Sequence, residues 1–311
     1  MARKKRVTVS FMIIFVLALL AGIGITLSPY LGLREYIPAW SDIFKSAGIS
    51  AYIPEGTAKN RVHFIDVGQA DCMLIQSGEH AALIDAGNNA DSLLVTDYLK
   101  NAGVEKLELA VATHAHEDHI GGMAAVVDSF EIETLLMQKS PPGSESDTKT
   151  YENLLEAVAD KNQNVELPEP GKSYAVGDFT LTVAGPFEEF EDENDRSIII
   201  KAVAEDVSFL FMGDAEKGAE LSLIENRADL DADILKVGHH GSNSSSTKEF
   251  LWTAKPSYAV IMVGRNNRYN HPGTDALDRI GKLEIPVYRT DASGTVVVSV
   301  QEGQVHFETE Y

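Results

Sequence analysis

The chain has 311 residues, enough for one large domain or two small ones and for a core that needs no disulfide staples. Hydrophobic residues make up 44% and charged residues 23%, which excludes a disordered, collagenous or multi-span membrane chain. Lys and Arg total 26 against 47 Asp and Glu, a net charge of −21, so a surface built throughout to hold a polyanion by counterion release is excluded and any basic face must be local.

Arg3-Lys4-Lys5-Arg6 precede an uncharged run of 17 residues, Phe11 to Leu27, which Val7 to Ser10 lengthen to a comfortable membrane span. The basic flank is expected to stay in the cytoplasm, sending the remainder of the chain across the membrane. A cleaved signal peptide has the same parts, but the run has no clean small-x-small cleavage site, so residues 1–27 read as an uncleaved transmembrane anchor. Without those four basic residues the exported part has 22 Lys and Arg against 47 acids, a charge of −25. Residues 28–59, broken by Pro29, Pro38 and Pro54, read as a spacer, and 60–311 as the folded domain.

From Arg61 three short β-rich runs, RVHFIDV, CMLIQS and HAALIDAG, open the domain. Helical spacing over 89–102 comes next, and LELAVAT returns to strand. A helix is predicted at 121–128, a strand at 132–137, a Pro, Gly and Ser-rich loop at 139–147 and a helix at 148–161. FTLTVAG, SIIIKAV and VSFLFMG read as strands, then come a helix near 215–225 and the strand ADILKV. The mixture excludes all-α and all-β classes and gives an α/β domain. Cys72, on an apolar strand, cannot form an internal disulfide and reads as a small buried residue. His63, His80 and His306 lie on strand-like runs and read as surface or strand-face residues without partners.

Five of the other six histidines are grouped. Three lie in His114-Ala115-His116-Glu117-Asp118-His119, where a strand gives way to a loop, and two are adjacent at His239-His240. This density of imidazole and carboxylate suits zinc or a similar divalent ion better than calcium or magnesium, which prefer oxygen.

The stretch H-x-H-x-D-H-x-G-G resembles the signature of the metallo-β-lactamase superfamily. IDVGQADC at 65–72, LIDAG at 83–87, FMGD at 211–214 and KVGHHGS at 236–242 stand in that family's order. With RYNHPG at 268–273 they resemble in particular the hydrolase domain of ComEC-type DNA-uptake proteins. The resemblance implies that residues 60–311 form a hydrolase domain, a four-layer αββα sandwich holding two divalent ions, zinc first and manganese as the alternative. It puts His114 and His116 on the first ion, Asp118, His119 and His239 on the second, and Asp214 between them. A water between two such ions would lose its proton near neutral pH, supplying a hydroxide nucleophile. Asp66 and Asp85 are implied as carboxylates behind the ligands, Asp85 orienting an imidazole; a simple turn aspartate is the other reading of Asp85.

One departure stands out. Residues 120–213 contain no histidine, so the first ion lacks the third imidazole that many superfamily members provide. Asn194 and Ser197 occupy the corresponding segment by resemblance, with Asp195 as another candidate; such ligands would favour manganese. Which of His239 and His240 points inward is open in the sequence. His271 is a candidate general acid, so it and Asp118 are the residues expected at the chemical step. His240, Ser242, Arg265 and Arg268 are candidates for holding a substrate phosphate. The reading is therefore a membrane-anchored, extracytoplasmic metallo-hydrolase of a phosphodiester, with DNA entering by analogy alone. Amide or ester hydrolysis, and a non-catalytic metal-binding module, are the competing readings. No protein partner is legible.

Overall fold

The computed structural model describes residues 58–139 and 148–311, together with Ile23. The expected membrane anchor and spacer therefore lie almost wholly outside the described residues. Among the described residues no helix is long and apolar enough to cross a membrane.

The chain enters sheet structure at β1 (Asn60–Phe64), followed by β2 (Met73–Ser77) and β3 (His80–Ile84) as an antiparallel meander. Helix α1 (Ser92–Asn101) crosses over to β4 (Lys106–Ala112), which pairs parallel to β3. The helix expected at 121–128 is α3 (Met123–Ser129), and a short helix that was not expected, α2 (Glu117–Ile120), precedes it. Then come β5 (Glu131–Met137), α4 (Lys149–Lys161) and the two-residue β6 (Val165–Glu166). With β14 (Val296–Gln301) and β15 (Gln304–Thr309) these strands form an eight-stranded sheet in the order β15-β14-β1-β2-β3-β4-β5-β6.

The second sheet is built from β7 (Ser173–Val176), β8 (Phe179–Gly185), β9 (Ile199–Ala204), β10 (Val207–Phe211), β11 (Ile234–Lys236), β12 (Tyr258–Ile261) and β13 (Val287–Arg289), in that order across the sheet. Its first four strands are antiparallel, and β10 to β13 run parallel. Helices α5 (Lys217–Glu225), α6 (Lys248–Ala254) and α7 (Thr274–Gly281) make the crossovers, and α8 (Thr290–Ser293) comes after β13.

Period-2 alternation sends one side of each strand inward. Val62, Phe64, Met73 and Ile75 of the first sheet meet Ile200, Ala202, Phe209 and Phe211 of the second in one buried cluster between the sheets. Phe64, Phe209 and Phe211 are fully buried, and each contributes about 1.5–3 kcal/mol of transfer free energy. The opposite side of the second sheet, with Ile199, Leu210, Leu235 and Ile261, is covered by Ala219, Leu223, Phe250, Leu251 and Ile280 from the helices. On the first sheet, α1 lies against β1: His63 Nδ1 is 2.8 Å from the Tyr98 hydroxyl. His63 is therefore a buried histidine with a partner, and burial pushes its pKa down to about 3. His80 is not partnerless either, since its Nδ1 lies 2.8 Å from Glu108. Alternation alone does not say which face of a strand a helix will cover.

Parallel pairing aligns the carboxyl ends of β3, β4 and β5 in the first sheet and of β10, β11 and β12 in the second, where loops of an α/β sheet form a crevice. The histidine-bearing segments are those loops.

Candidate metal centre

The loop 113–122 is fixed from below. Thr113 donates its backbone N–H and its hydroxyl to the two oxygens of Asp85, at 2.9 and 2.8 Å. The backbone N–H of Ala86 donates to the carbonyl of His119 at 2.7 Å, and that of Asp71 to the carbonyl of Asp118 at 3.0 Å. Gly121 and Gly122 permit this approach, because a Cβ would stand 2.2 Å from the Asn88 carbonyl carbon at the first and 2.3 Å from the Ala86 oxygen at the second. The G-G of the motif is thus a packing requirement that brings the Asp85 loop against α2.

Asp118, His119, Asp214 and His240 each direct one ligand atom into a space in which these atoms lie within 4.8 Å of one another. His119 Nδ1 is 2.8 Å from Asp85, which leaves Nε2 facing Asp214 Oδ1 at 3.2 Å. His240 Nδ1 is 2.9 Å from the carbonyl of Met262, which leaves Nε2 3.3 Å from Asp118 and 3.7 Å from Asp214. In each case the outer partner orients the ring so that the inner nitrogen faces the carboxylates and can act as a ligand once its proton is displaced. His119 Nε2 and Asp214 Oδ1 are both buried without a hydrogen-bond partner, a costly arrangement that a cation between them relieves. The donor set fits a divalent ion.

His114 and His116 adjoin this group. His114 Nε2 lies 3.0 Å from His116 Nδ1, and the His114 ring centroid is 4.2 Å from that of His119. His114 Nδ1 sits 3.4 Å from the Ser197 hydroxyl, whose oxygen accepts the backbone N–H of Asp214 at 2.9 Å. Asn194 Oδ1 is buried without a hydrogen-bond partner. Asp195 is occupied elsewhere: its Oδ1 accepts the N–H groups of Glu216 and Ala219, at 2.8 and 3.1 Å, at the start of α5.

His239 and His240 both have left-handed backbone, φ 46° and 51°, which sends the two neighbouring rings different ways. His239 Nδ1 is 2.6 Å from Glu216 and its Nε2 is 3.6 Å from Asp214, so the four-residue cluster includes His240 and leaves His239 at its margin.

The electrostatics arise from crowding. Burial opposes ionisation of Asp214, yet His119 and His240 hold its pKa well below the usual range. Burial likewise opposes charge on His240, but Asp214 and Asp71 raise its pKa to about 10. His119 is raised too, by Asp214 and Asp85 against burial. The negative field that stabilises these imidazolium ions also attracts a divalent cation, whose binding would displace their protons.

Two residues here escape sequence reasoning. Asp71 is fully buried, paired with the buried ammonium of Lys236, and lies 3.4 Å from His240 Nδ1. Lys236 Nζ also donates to the carbonyl of Gly213 at 3.0 Å, tying the β11 end to the Asp214 turn. Their signal is position: Asp71 stands in IDVGQADC and Lys236 begins KVGHHGS. Asp66 Oδ1 accepts the Gly68 N–H at 3.0 Å, closing a turn.

His271 lies beside the cluster, its ring centroid 5.3 Å from that of His239 and 6.4 Å from that of His240. Burial and those two histidines lower its pKa to about 4, so it is neutral at pH 7. The Ser242 hydroxyl is 2.7 Å from that of Ser244. Arg265 turns to the carbonyl of Asp291, 3.2 Å away, and to the Tyr311 hydroxyl at the same distance, whereas Arg268 lies on Tyr269.

Comparisons with known proteins agree with this geometry. A profile of the metallo-beta-lactamase superfamily matches residues 65–265. ComE operon protein 3 of Bacillus subtilis is 29% identical over 77% of this chain and 33% of its own length. Competence protein ComA of Neisseria gonorrhoeae is 29% identical over 94% of this chain and 39% of its own. The chain thus spans between a third and two fifths of these competence proteins. Among solved structures, CmlA, a diiron beta-hydroxylase from Streptomyces venezuelae, has a TM-score of 0.54 at 13% identity, covering 83% of this chain and 59% of that one, which is a likeness of fold. Two sheets packed face to face, ligands at their shared edge and the ordered motifs all lead to one conclusion: the chain belongs to the metallo-beta-lactamase superfamily.

Proposed function

We propose that this protein is a metal-dependent hydrolase of phosphodiesters, anchored in a membrane by residues 1–27 with residues 60–311 on the extracytoplasmic side. The observation that carries the reading is the convergence of Asp118, His119, Asp214 and His240, with His114 and His116 adjoining. We assign His240 in place of His239 to the second ion, because its Nε2 faces Asp118 and Asp214 while its Nδ1 is engaged by the Met262 carbonyl. Two ions held there, zinc or manganese, would supply a Lewis acid and a nucleophile active at neutral pH.

The chain's own residues account for the rest. Asp85 and the Met262 carbonyl fix the tautomers of His119 and His240. Ser197 fixes the Asp214 backbone and lies 3.4 Å from His114 Nδ1, while the unpartnered Asn194 Oδ1 is the atom we assign to the place of the missing imidazole. Neutral His271 accepts a hydrogen bond from a substrate hydroxyl or, once protonated, donates to a leaving oxygen. The relatives' competence names and the histidine-free stretch support a phosphodiester over an acyl substrate.

The test is hydrolysis of bis-p-nitrophenyl phosphate by the full chain in detergent, stripped of metal and reloaded with zinc or manganese. Turnover that requires metal and falls about 100-fold or more in Asp118→Ala is expected, a loss above that for an outer-sphere partner. Stoichiometric metal binding with no phosphodiester turnover, or turnover confined to a β-lactam, would overturn it.

A further inference from the structure

The loop from Gly264 to Gly273 presents an aromatic side chain outward beside the metal-ligand cluster. Tyr269 is 51% exposed, one of nine large side chains with hydrophobic surface left open to solvent among the described residues. The loop beneath it is tightly built around Asn267. That amide donates to the carbonyls of Gly264 and His271, at 3.0 and 2.6 Å, and accepts the N–H groups of Tyr269 and His271, at 3.1 and 3.0 Å. The Tyr269 ring runs near-parallel to His271, with centroids 5.7 Å apart and planes at 26°, and His271 in turn lies at 29° to His240. Arg268 places its guanidinium 4.9 Å from the Tyr269 ring centroid and donates to the Tyr269 hydroxyl at 2.7 Å. An exposed ring on a tightly built loop, with a guanidinium lying over it, thus stands two ring contacts from a metal ligand.

We propose that Arg268 and Tyr269 form a stacking platform for a nucleobase of a single-stranded nucleic acid whose phosphodiester reaches the metal-ligand cluster, an inference that rests on the hydrolase reading. A base stacks on an aromatic face or a guanidinium plane without regard to its identity, and such contacts recur in single-strand binding sites. Stacking also suits a chain of net charge −21, because it draws on no broad basic surface, and Arg268 supplies one local positive charge for the backbone. A duplex would not serve, since its bases are already stacked on one another.

The test compares a single-stranded DNA oligonucleotide with the same strand carrying abasic sites, using the metal-loaded full chain for cleavage and the chain in EDTA for binding by fluorescence anisotropy. The protein is expected to prefer the base-bearing strand by roughly 10-fold or more in kcat/KM and in Kd. Tyr269→Phe should keep that preference and Tyr269→Ala should lose it. Equal handling of the two strands by the unmodified protein, or an undiminished preference in Tyr269→Ala, overturns the platform. Absence of cleavage of both strands and of bis-p-nitrophenyl phosphate would instead count against the hydrolase reading, while the binding preference in EDTA would still decide for or against the platform.

Discussion

Of the two adjacent histidines, only His240 has its inner nitrogen directed at both Asp118 and Asp214. His240→Ala should therefore weaken binding of the second ion by more than the 10- to 100-fold typical of outer-sphere losses, and His239→Ala by less. Chelator competition with zinc measures both; equal losses would return His239 to the ligand set. Sequence could not make this choice, because it depends on the left-handed backbone at both residues, which no periodicity encodes. The grouping of His114, His116, Asp118 and His119 was legible because their spacing within one loop is local, whereas Asp214 entered only through the resemblance its motif carries. Asp71 and Lys236 were not: a buried ion pair joins positions remote in sequence, and each looks ordinary in its own segment.

At the scale of elements, two contacts outside the ligands hold the site's walls. Asp195 accepts two N–H groups at the start of α5, so Asp195→Ala should cost about 1 kcal/mol in urea unfolding and leave metal stoichiometry intact. A loss of one bound metal in that variant would make Asp195 a ligand after all. Glu220 of α5 accepts the N–H groups of Ser246 and Thr247, the latter at 2.8 Å, steadying the loop after His240. Burial raises its pKa to about 7 against those bonds and Arg279. A raised carboxyl value means the folded chain binds the proton more tightly, so this contribution to stability is present in acid and is lost as pH climbs through about 7. Urea midpoints at pH 5 and pH 8 should show Glu220→Gln gaining on the unmodified protein at the higher pH; a constant gap would refute the ionisation. The strands and helices around these contacts were readable from alternation and spacing. The short α2 ahead of α3 was not, since it lies within the histidine loop, which the close approach of the Asp85 loop at Gly121 and Gly122 packs in place.

For the molecule as a whole, the ligands hang from both sheets. Asp118 and His119 come after β4 of the first, while Asp214 and His240 come after β10 and β11 of the second. Ions bound across that boundary stabilise only the closed sandwich, so the melting temperature should rise with added zinc or manganese and fall with EDTA. A melt indifferent to metal would show that the cluster does not bind ions in the folded state. The α/β sandwich was expected through the resemblance that the motif order carries, whereas the seam between its two sheets emerged only once strands distant in the chain were seen to pair. The same seam orders events during synthesis. A nascent chain displays His114 through His119 long before Asp214 and His240 exist, so the early segment alone cannot complete the cluster. The complete set of ligand atoms thus awaits closure of the two sheets.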